Sequence, residues 1–267
     1  VENKMKQRII TAIVALAVFV PIVLIGGLPF TLIMYVIGTV GVIELLKMKH
    51  LKAMSFPSII SLLLTWVFLL PNGRDVAFQF LSEHKIEVAL AAVLLLLMYT
   101  VIVKNKFTFD DVGFILLTTV YVGFGFHYFI EVRQEFGLAY LFFAFLIIWA
   151  TDSGAYFIGR AMGKRKLWPE ISPNKTIEGF VGGVVCAIIV AIVFKLLANI
   201  DQTMIELLVI GIIVSLFGQM GDLVQSAFKR HYGVKDSGKI LPGHGGILDR
   251  FDSLMFIMPI LAFLLSL

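Results

Sequence analysis

Val88-Ala-Leu-Ala-Ala-Val-Leu-Leu-Leu-Leu-Met-Tyr-Thr-Val-Ile-Val103 is apolar almost without interruption. Extended back to Ile86, it reaches the roughly 17–25 residues a helix needs to cross a bilayer. A barrel strand would alternate apolar and polar residues over a shorter stretch, and this run does not alternate. Hydrocarbon offers no partner to a backbone N–H or C=O, so the run must satisfy its own hydrogen bonds and is a helix. The rest of the chain repeats the pattern. Of 267 residues, 59% are hydrophobic and only 15% are charged, and the mean hydropathy is +0.96. Working outward gives nine expected spans: Ile9–Gly26, Leu28–Leu46, Pro57–Leu70, Ile86–Val103, Val112–Ile130, Gly137–Ala150, Phe180–Ala198, Glu206–Ser226 and Ile247–Leu267. The third and sixth are short, and the turn at Gly26-Gly-Leu-Pro29 is tight. The predicted fold class is an all-α integral membrane protein, a polytopic bundle of about nine transmembrane helices with a cytoplasmic N-terminus.

The orientation rests on the placement of basic residues. With the N-terminus inside, all but Arg74, Lys85, Arg133 and Lys195 of the 22 lysines and arginines fall in cytoplasmic segments. Such a bias is what the positive-inside rule requires, and one missed span would scramble it. The first apolar run lacks a small-residue cleavage site and is read as a retained span. Met5 is read as a natural start, with Val1–Lys4 a remnant ahead of it. The single cysteine, Cys186, excludes an internal disulfide framework and a cysteine-based metal site.

The first half, residues 1–111, carries little chemistry and is read as a scaffold of membrane helices. Glu44 is taken as a span-end carboxylate beside Lys47, and His127 as a span-end polar residue. Asp110 and Asp111 suit a helix N-terminus, where the dipole favours anions. Residues 112–267 are the expected catalytic region. Asp152 follows the sixth span with no intervening turn residue, so it is placed on the same helix. Ser172 before Pro173 reads as an N-cap with proline at the first helical position. That would set Lys175 and Thr176 in a helix's first turn, where free N–H groups attract phosphate.

The charge is densest between Asp222 and Asp252, which hold four aspartates, three lysines, two arginines and two histidines between apolar runs. Gly218 and Gly221 let another backbone or a ligand approach, Gly233 breaks the helix, and Pro242-Gly-His-Gly-Gly246 can fold its N–H groups around an anion. Asp249 and Asp252 share a helical face. If Asp222 joins them, three carboxylates at one depth need neutralising. A hard cation such as Mg²⁺ does this while keeping sites for phosphate oxygens. Lys229, Arg230, Lys235 and Arg250 add positive charge for further phosphates. Carboxylates and bases combined in this way suit phosphoryl or nucleotidyl transfer, where positioning and charge stabilisation dominate.

Ser226-x-Phe-Lys-Arg, then Lys235-Asp-x-Gly, then Leu241-Pro-x-His-Gly-Gly-Ile-x-Asp-Arg-Phe-Asp252 resembles the signature of the phosphatidate cytidylyltransferases, or CDP-diacylglycerol synthases. Asp152-Ser-Gly-Ala-Tyr and Ser172-Pro-x-Lys-Thr-x-Glu-Gly179 resemble the same family. The resemblance implies a multi-pass protein of the inner (cytoplasmic) membrane that joins CTP and phosphatidic acid, with Mg²⁺, into CDP-diacylglycerol and pyrophosphate. One or two cations are left open. Asp222, Lys229, Arg230, His244, Asp249 and Asp252 are the candidate catalytic residues, with Asp222, Asp249 and Asp252 as metal ligands. Asp152, Ser172, Asn174, Lys175, Thr176, Glu178, Ser226, Lys235, Asp236, Gly245, Gly246 and Arg250 are the candidate substrate-binding residues. No nucleic-acid partner is expected, and the glycine-rich spans are compatible with a homodimer. Two rivals are weighed against this reading. A CDP-alcohol phosphatidyltransferase would carry aspartates four apart after an Asp-Gly…Ala-Arg element, which the sequence lacks. An ion transporter would place its acids near mid-span on broken helices.

Overall fold

The computed structural model describes residues 2–71 and 76–267; Val1 and Arg74 lie outside the described residues. Among the described residues, nine helices overlap the nine apolar segments: α1 (Glu2–Ile25), α2 (Gly27–Met48), α3 (Phe56–Leu69), α5 (Lys85–Ile102), α6 (Phe109–Glu131), α7 (Leu138–Met162), α8 (Ile177–Leu197), α9 (Met204–His231) and α10 (Leu248–Leu265). Among the described residues, seven helices are long and apolar enough to cross a membrane. The two others are α3, which is short, and α10, which carries Asp249, Arg250 and Asp252 in its first turns. The chain is thus an all-α, multi-pass membrane protein. Three features were not foreseen: a short helix α4 (Val76–Glu83), a π-helical turn at Val132–Phe136, and a two-stranded hairpin of β1 (Lys166–Trp168) and β2 (Ser172–Thr176).

Two compact units divide the chain. The first comprises residues 1–131 and 236–248. In it, α1 and α2 meet across Gly26 alone, which takes φ 68° and is followed by Gly27 at 53°. These left-handed values are open to glycine at little cost. The core of this unit includes Phe30, Met34, Leu69, Leu96, Phe126 and Phe129. Polar contacts tie its helices together where lipid would leave them unsatisfied. Ser61 and Thr119 share a buried hydrogen bond of 2.8 Å, and Trp66 Nε1 donates to Thr39 Oγ1 at 2.9 Å. At 14 residues, α3 spans about 21 Å by its helical rise, less than the hydrocarbon thickness. Lys85 Nζ donates to Leu70 O at 2.7 Å, supplying one of the partners a helix C-terminus lacks. Asp111 takes its expected place in the first turn of α6, accepting from Thr108 N and pairing with Lys49 at 3.2 Å. His127 is buried near the end of α6, 3.3 Å from Glu131.

The second unit comprises residues 132–235 and 249–267. The sixth predicted span proves to be 25 residues long, so Asp152 lies within α7. Small residues draw α7 and α8 together. A Cβ at Gly154 would stand 2.5 Å from Cys186 Sγ, and one at Gly182 would stand 2.6 Å from Ile158 Cδ1. Cys186 is therefore a packing residue of this seam. Helix α9 begins with a capping box, in which Thr203 Oγ1 accepts from Glu206 N and the Glu206 carboxylate accepts from Thr203 N. It ends at His231, where Gly233 takes φ 65° and Val234 N donates back to Lys229 O.

Gly154→Ala should lower the thermal midpoint in detergent, by a loss of about 1–3 kcal/mol from overpacking. Gly113→Ala, in α6 with open space around it, should leave the midpoint unchanged or raise it. A thermal-shift series on the two variants checks both.

Candidate active site

Within the second unit, helices α7, α8, α9 and α10 and the hairpin carry most of the candidate residues. The hairpin corrects one expectation. Ser172–Thr176 is a β-strand, and α8 starts only at Ile177. Proline disfavours the α-conformation in the residue before it, which keeps Ser172 extended. Thr176, not Ser172, is the N-cap, its Oγ1 accepting from Gly179 N at 3.1 Å. Lys175 accordingly sits on the strand rather than in a helical turn. Glu178 is occupied in folding the hairpin: its carboxylate accepts from Lys164 N, Arg165 N and Arg165 Nε at 3.1–3.2 Å. Ser172 is half-buried and Asn174 is exposed.

From the strand, Lys175 Nζ reaches Asp222 Oδ2 at 2.5 Å. Ser226 Oγ stands 3.5 Å from the other oxygen of Asp222. One turn further along α9, Lys229 Nζ pairs with Asp249 Oδ1 at 2.8 Å. This second pair is buried, its side chains 17% and 5% exposed. Arg230 donates to Ile171 O at 3.3 Å and is otherwise exposed, as are Lys235 and Arg250. Gly221 brings α9 against α10: a Cβ there would lie 2.6 Å from Phe256 Cβ and 3.0 Å from Asp252 O. Gly218 makes a similar approach to Ile148 of α7. The two glycines thus provide the close approach read from the sequence.

The carboxylates of Asp152, Asp222 and Asp252 are close enough to repel one another, with Lys175 and Arg250 acting on Asp152 and Lys229 acting on Asp252. Asp152 thereby joins two members of the Asp222–Asp249–Asp252 set drawn from helical spacing. Asp249 and Asp252 share the expected face, but Asp249 is turned into its ion pair with Lys229, and the third mutual carboxylate is Asp152 of α7. Among the described residues, no three His, Cys, Asp or Glu side chains converge closely enough to share one cation. The acids form a loose group partly neutralised by lysine.

A polar seam that sequence reasoning passed over runs along α9. Thr151 Oγ1 donates to Ser215 Oγ at 2.9 Å, and Gln219 Nε2 donates to Phe180 O at 3.2 Å. Gln225 is fully buried, and its amide has no hydrogen-bond partner among the described residues. Spacing of Ser215, Gln219 and Asp222 at helical intervals was the available signal.

The remaining candidates belong to the first unit. Asp236 is exposed. In the glycine-rich turn, Leu241 N donates to Gly245 O and His244 N to Leu241 O. The buried Nδ1 of His244 has no partner among the described residues. Just beyond the segment, two backbone N–H groups converge on an anion of the chain itself. Glu44 accepts from Ile247 N at 2.8 Å and from Leu248 N at 3.0 Å. Glu44 does lie at the end of its span, but it is more than a span-end carboxylate beside Lys47: it is only 4% exposed and engages a segment 203 residues away in sequence.

Together the fold and these residues define a multi-pass membrane protein with acids and lysines grouped near the ends of its helices. The sequence model of the cytidylyltransferase family matches residues 6–267, and the chain belongs to that family. It is similar to a phosphatidate cytidylyltransferase of Bacillus subtilis, 59% identical over 265 residues, with 98% of each chain covered. Proteins of the same name from Staphylococcus saprophyticus and Staphylococcus epidermidis are 52% and 51% identical over 261 residues, covering 98% of this chain and 99% of theirs.

Lys229→Ala should destabilise the protein by more than about 1 kcal/mol, because it removes the cation paired with a buried carboxylate. Adding Asp249→Asn should recover a large part of that loss. Lys175→Ala, whose pair is more exposed, should cost no more than about 1 kcal/mol. Thermal midpoints of the three variants measure the ranking.

Proposed function

We infer that this chain transfers a cytidylyl group from CTP to phosphatidic acid, releasing pyrophosphate and leaving CDP-diacylglycerol in the bilayer. The observation that carries the reading is the pair of ion contacts within one unit, Lys175 with Asp222 and Lys229 with Asp249, on helices that also carry Asp252 and Arg250. Family membership and the shared name of the relatives support it. The site is assigned to the cytoplasmic face of the cytoplasmic membrane, with the N-terminus inside, on the distribution of lysine and arginine. CTP meets it there from water, and the lipid phosphate lies at the same surface.

A phosphate oxygen of phosphatidic acid, already ionised, attacks the α-phosphorus of CTP. A new P–O bond forms as the bond to the β-phosphate oxygen breaks, and pyrophosphate carries away the electron pair. No strong general base is needed. Lys175 and Lys229 each hold an aspartate in the free protein, and either ammonium can turn to a phosphate oxygen when substrate enters. Arg230, Lys235 and Arg250, being exposed, offer further charge to the triphosphate. Ser172, Asn174, Thr176, Ser226, Asp236, Gly245 and Gly246 are proposed to shape the substrate pocket, and His244 to orient a phosphate. The hairpin-bound Glu178 is proposed to act indirectly, by holding the strand that carries Lys175.

The donor set fits Mg²⁺, which takes one or two carboxylates and completes its shell with water and phosphate oxygens, so a preformed three-acid cage is not required. Asp222, Asp249 and Asp252, with Asp152 beside them, would hold it once the lysines turn to phosphate. When bound it would neutralise charge on the phosphate oxygens.

Purified protein supplied with radiolabelled CTP, phosphatidic acid and Mg²⁺ in detergent should form labelled CDP-lipid, and chelation should abolish it. Asp222→Asn and Asp252→Asn should each lower kcat by about a hundredfold or more. An absence of Mg²⁺-dependent CDP-lipid from the unmodified protein would contradict the assignment.

A further inference from the structure

We propose that Glu44 is a positioning residue that sets the start of α10, and with it the aspartates of the active site. The proposal rests on the functional reading above. Glu44 lies in the last turns of α2, is 4% exposed, and is far in sequence from any residue of the reaction. One carboxylate clasps both ends of residues 237–248. At the near end, Ser237 Oγ donates to it at 2.9 Å, and Gly238 packs so close that a Cβ would overlap the carboxylate. At the far end, Ile247 N and Leu248 N donate to its two oxygens, and a Cβ on Gly246 would collide with both Glu44 and Ser237. Arg8 Nε adds a contact at mid-segment, donating to Gly243 O at 2.7 Å.

Ile247 and Leu248 carry N–H groups that the first turn of α10 cannot satisfy internally. An anion is also the favoured charge at that end of a helix. Glu44 therefore fixes where α10 begins and in which register. Asp249 follows Leu248 directly, and Asp252 follows one turn later, so their placement is tied to the clasp through the chain. Glu44 is no substrate ligand in this scheme. Its side chain is already filled by the protein's own donors. A glutamine could accept from one N–H, but its amide nitrogen would face another donor. An aspartate, one methylene shorter, would fall short of the two ends at once.

The test uses full-length protein in detergent, with hydrogen exchange read peptide by peptide, alongside kcat and the Mg²⁺ concentration for half-maximal rate. Glu44→Gln should raise exchange across 237–248 about tenfold, the equivalent of a lost hydrogen bond to a charged group, and leave α3 and α6 protected. It should lower kcat per folded molecule by about tenfold or more, as a misplacement near 1 Å does, and raise the Mg²⁺ requirement. Ser237→Ala, which removes one donor and leaves the acid, should shift all three readings in the same direction by less. The proposal is overturned if segment 237–248 loosens while kcat and the Mg²⁺ requirement stay unchanged. It is overturned equally if both variants lose protection in α3 and α6 to the same degree as in 237–248. Should the unmodified protein form no CDP-lipid, the functional reading fails, and unchanged exchange in Glu44→Gln would then refute the clasp by itself.

Discussion

A bilayer interior supplies no water to a polar atom, so every donor and acceptor inside it must find a partner in the chain. Most features of this molecule follow from that constraint. The apolar runs can only be helices. The short α3 borrows a lysine ammonium for its C-terminal carbonyls. Serine, threonine and tryptophan side chains bond across helix contacts. Several charged groups stand in matched sets: Lys229 with Asp249, Lys175 with Asp222, and Glu44 with the donors of 237–248. The carboxylates of the proposed site are thus held in check by lysines that the chain itself provides. A transporter-like acid at mid-span would lack this supply of phosphate-binding cations beside it.

The same constraint explains what could be read in advance. Hydrocarbon enforces helix over long apolar runs, so each apolar segment read from Ile9 to Leu267 overlaps a helix among the described residues. The unbroken register through Trp149, Ala150 and Thr151 placed Asp152 on α7, as found. The glycines at 218 and 221 announced close approach because nothing else explains their repetition in a span. Where water is available, local sequence decides less. Ser172-Pro173 obeys the helix-start pattern, yet the segment pairs with Lys166–Trp168 as a strand, a tertiary choice that local signals do not contain.

Glu44 was misread for a related reason. A carboxylate near a lysine at a span end has an adequate local partner in Lys47, whereas Ile247 and Leu248, which donate to it, lie 203 and 204 residues on. Likewise, spacing put Asp249 and Asp252 on one face but could not show that Lys229 would claim Asp249. The composition of the site was legible, since all the charges near it were named from the sequence. The pairing of those charges was not, because pairing depends on how α7, α9 and α10 approach one another, and that is set by packing against Gly218 and Gly221.

The central claim is that the acids of α7, α9 and α10 gather a divalent cation together with the nucleotide. Electron paramagnetic resonance of Mn²⁺, used in place of Mg²⁺, tests it most directly. In the presence of a non-hydrolysable CTP analogue, the unmodified protein should bind Mn²⁺ saturably, and Asp222→Asn combined with Asp252→Asn should lose that binding while the helices remain folded. Undiminished, nucleotide-dependent Mn²⁺ binding by the doubly substituted protein would contradict the account.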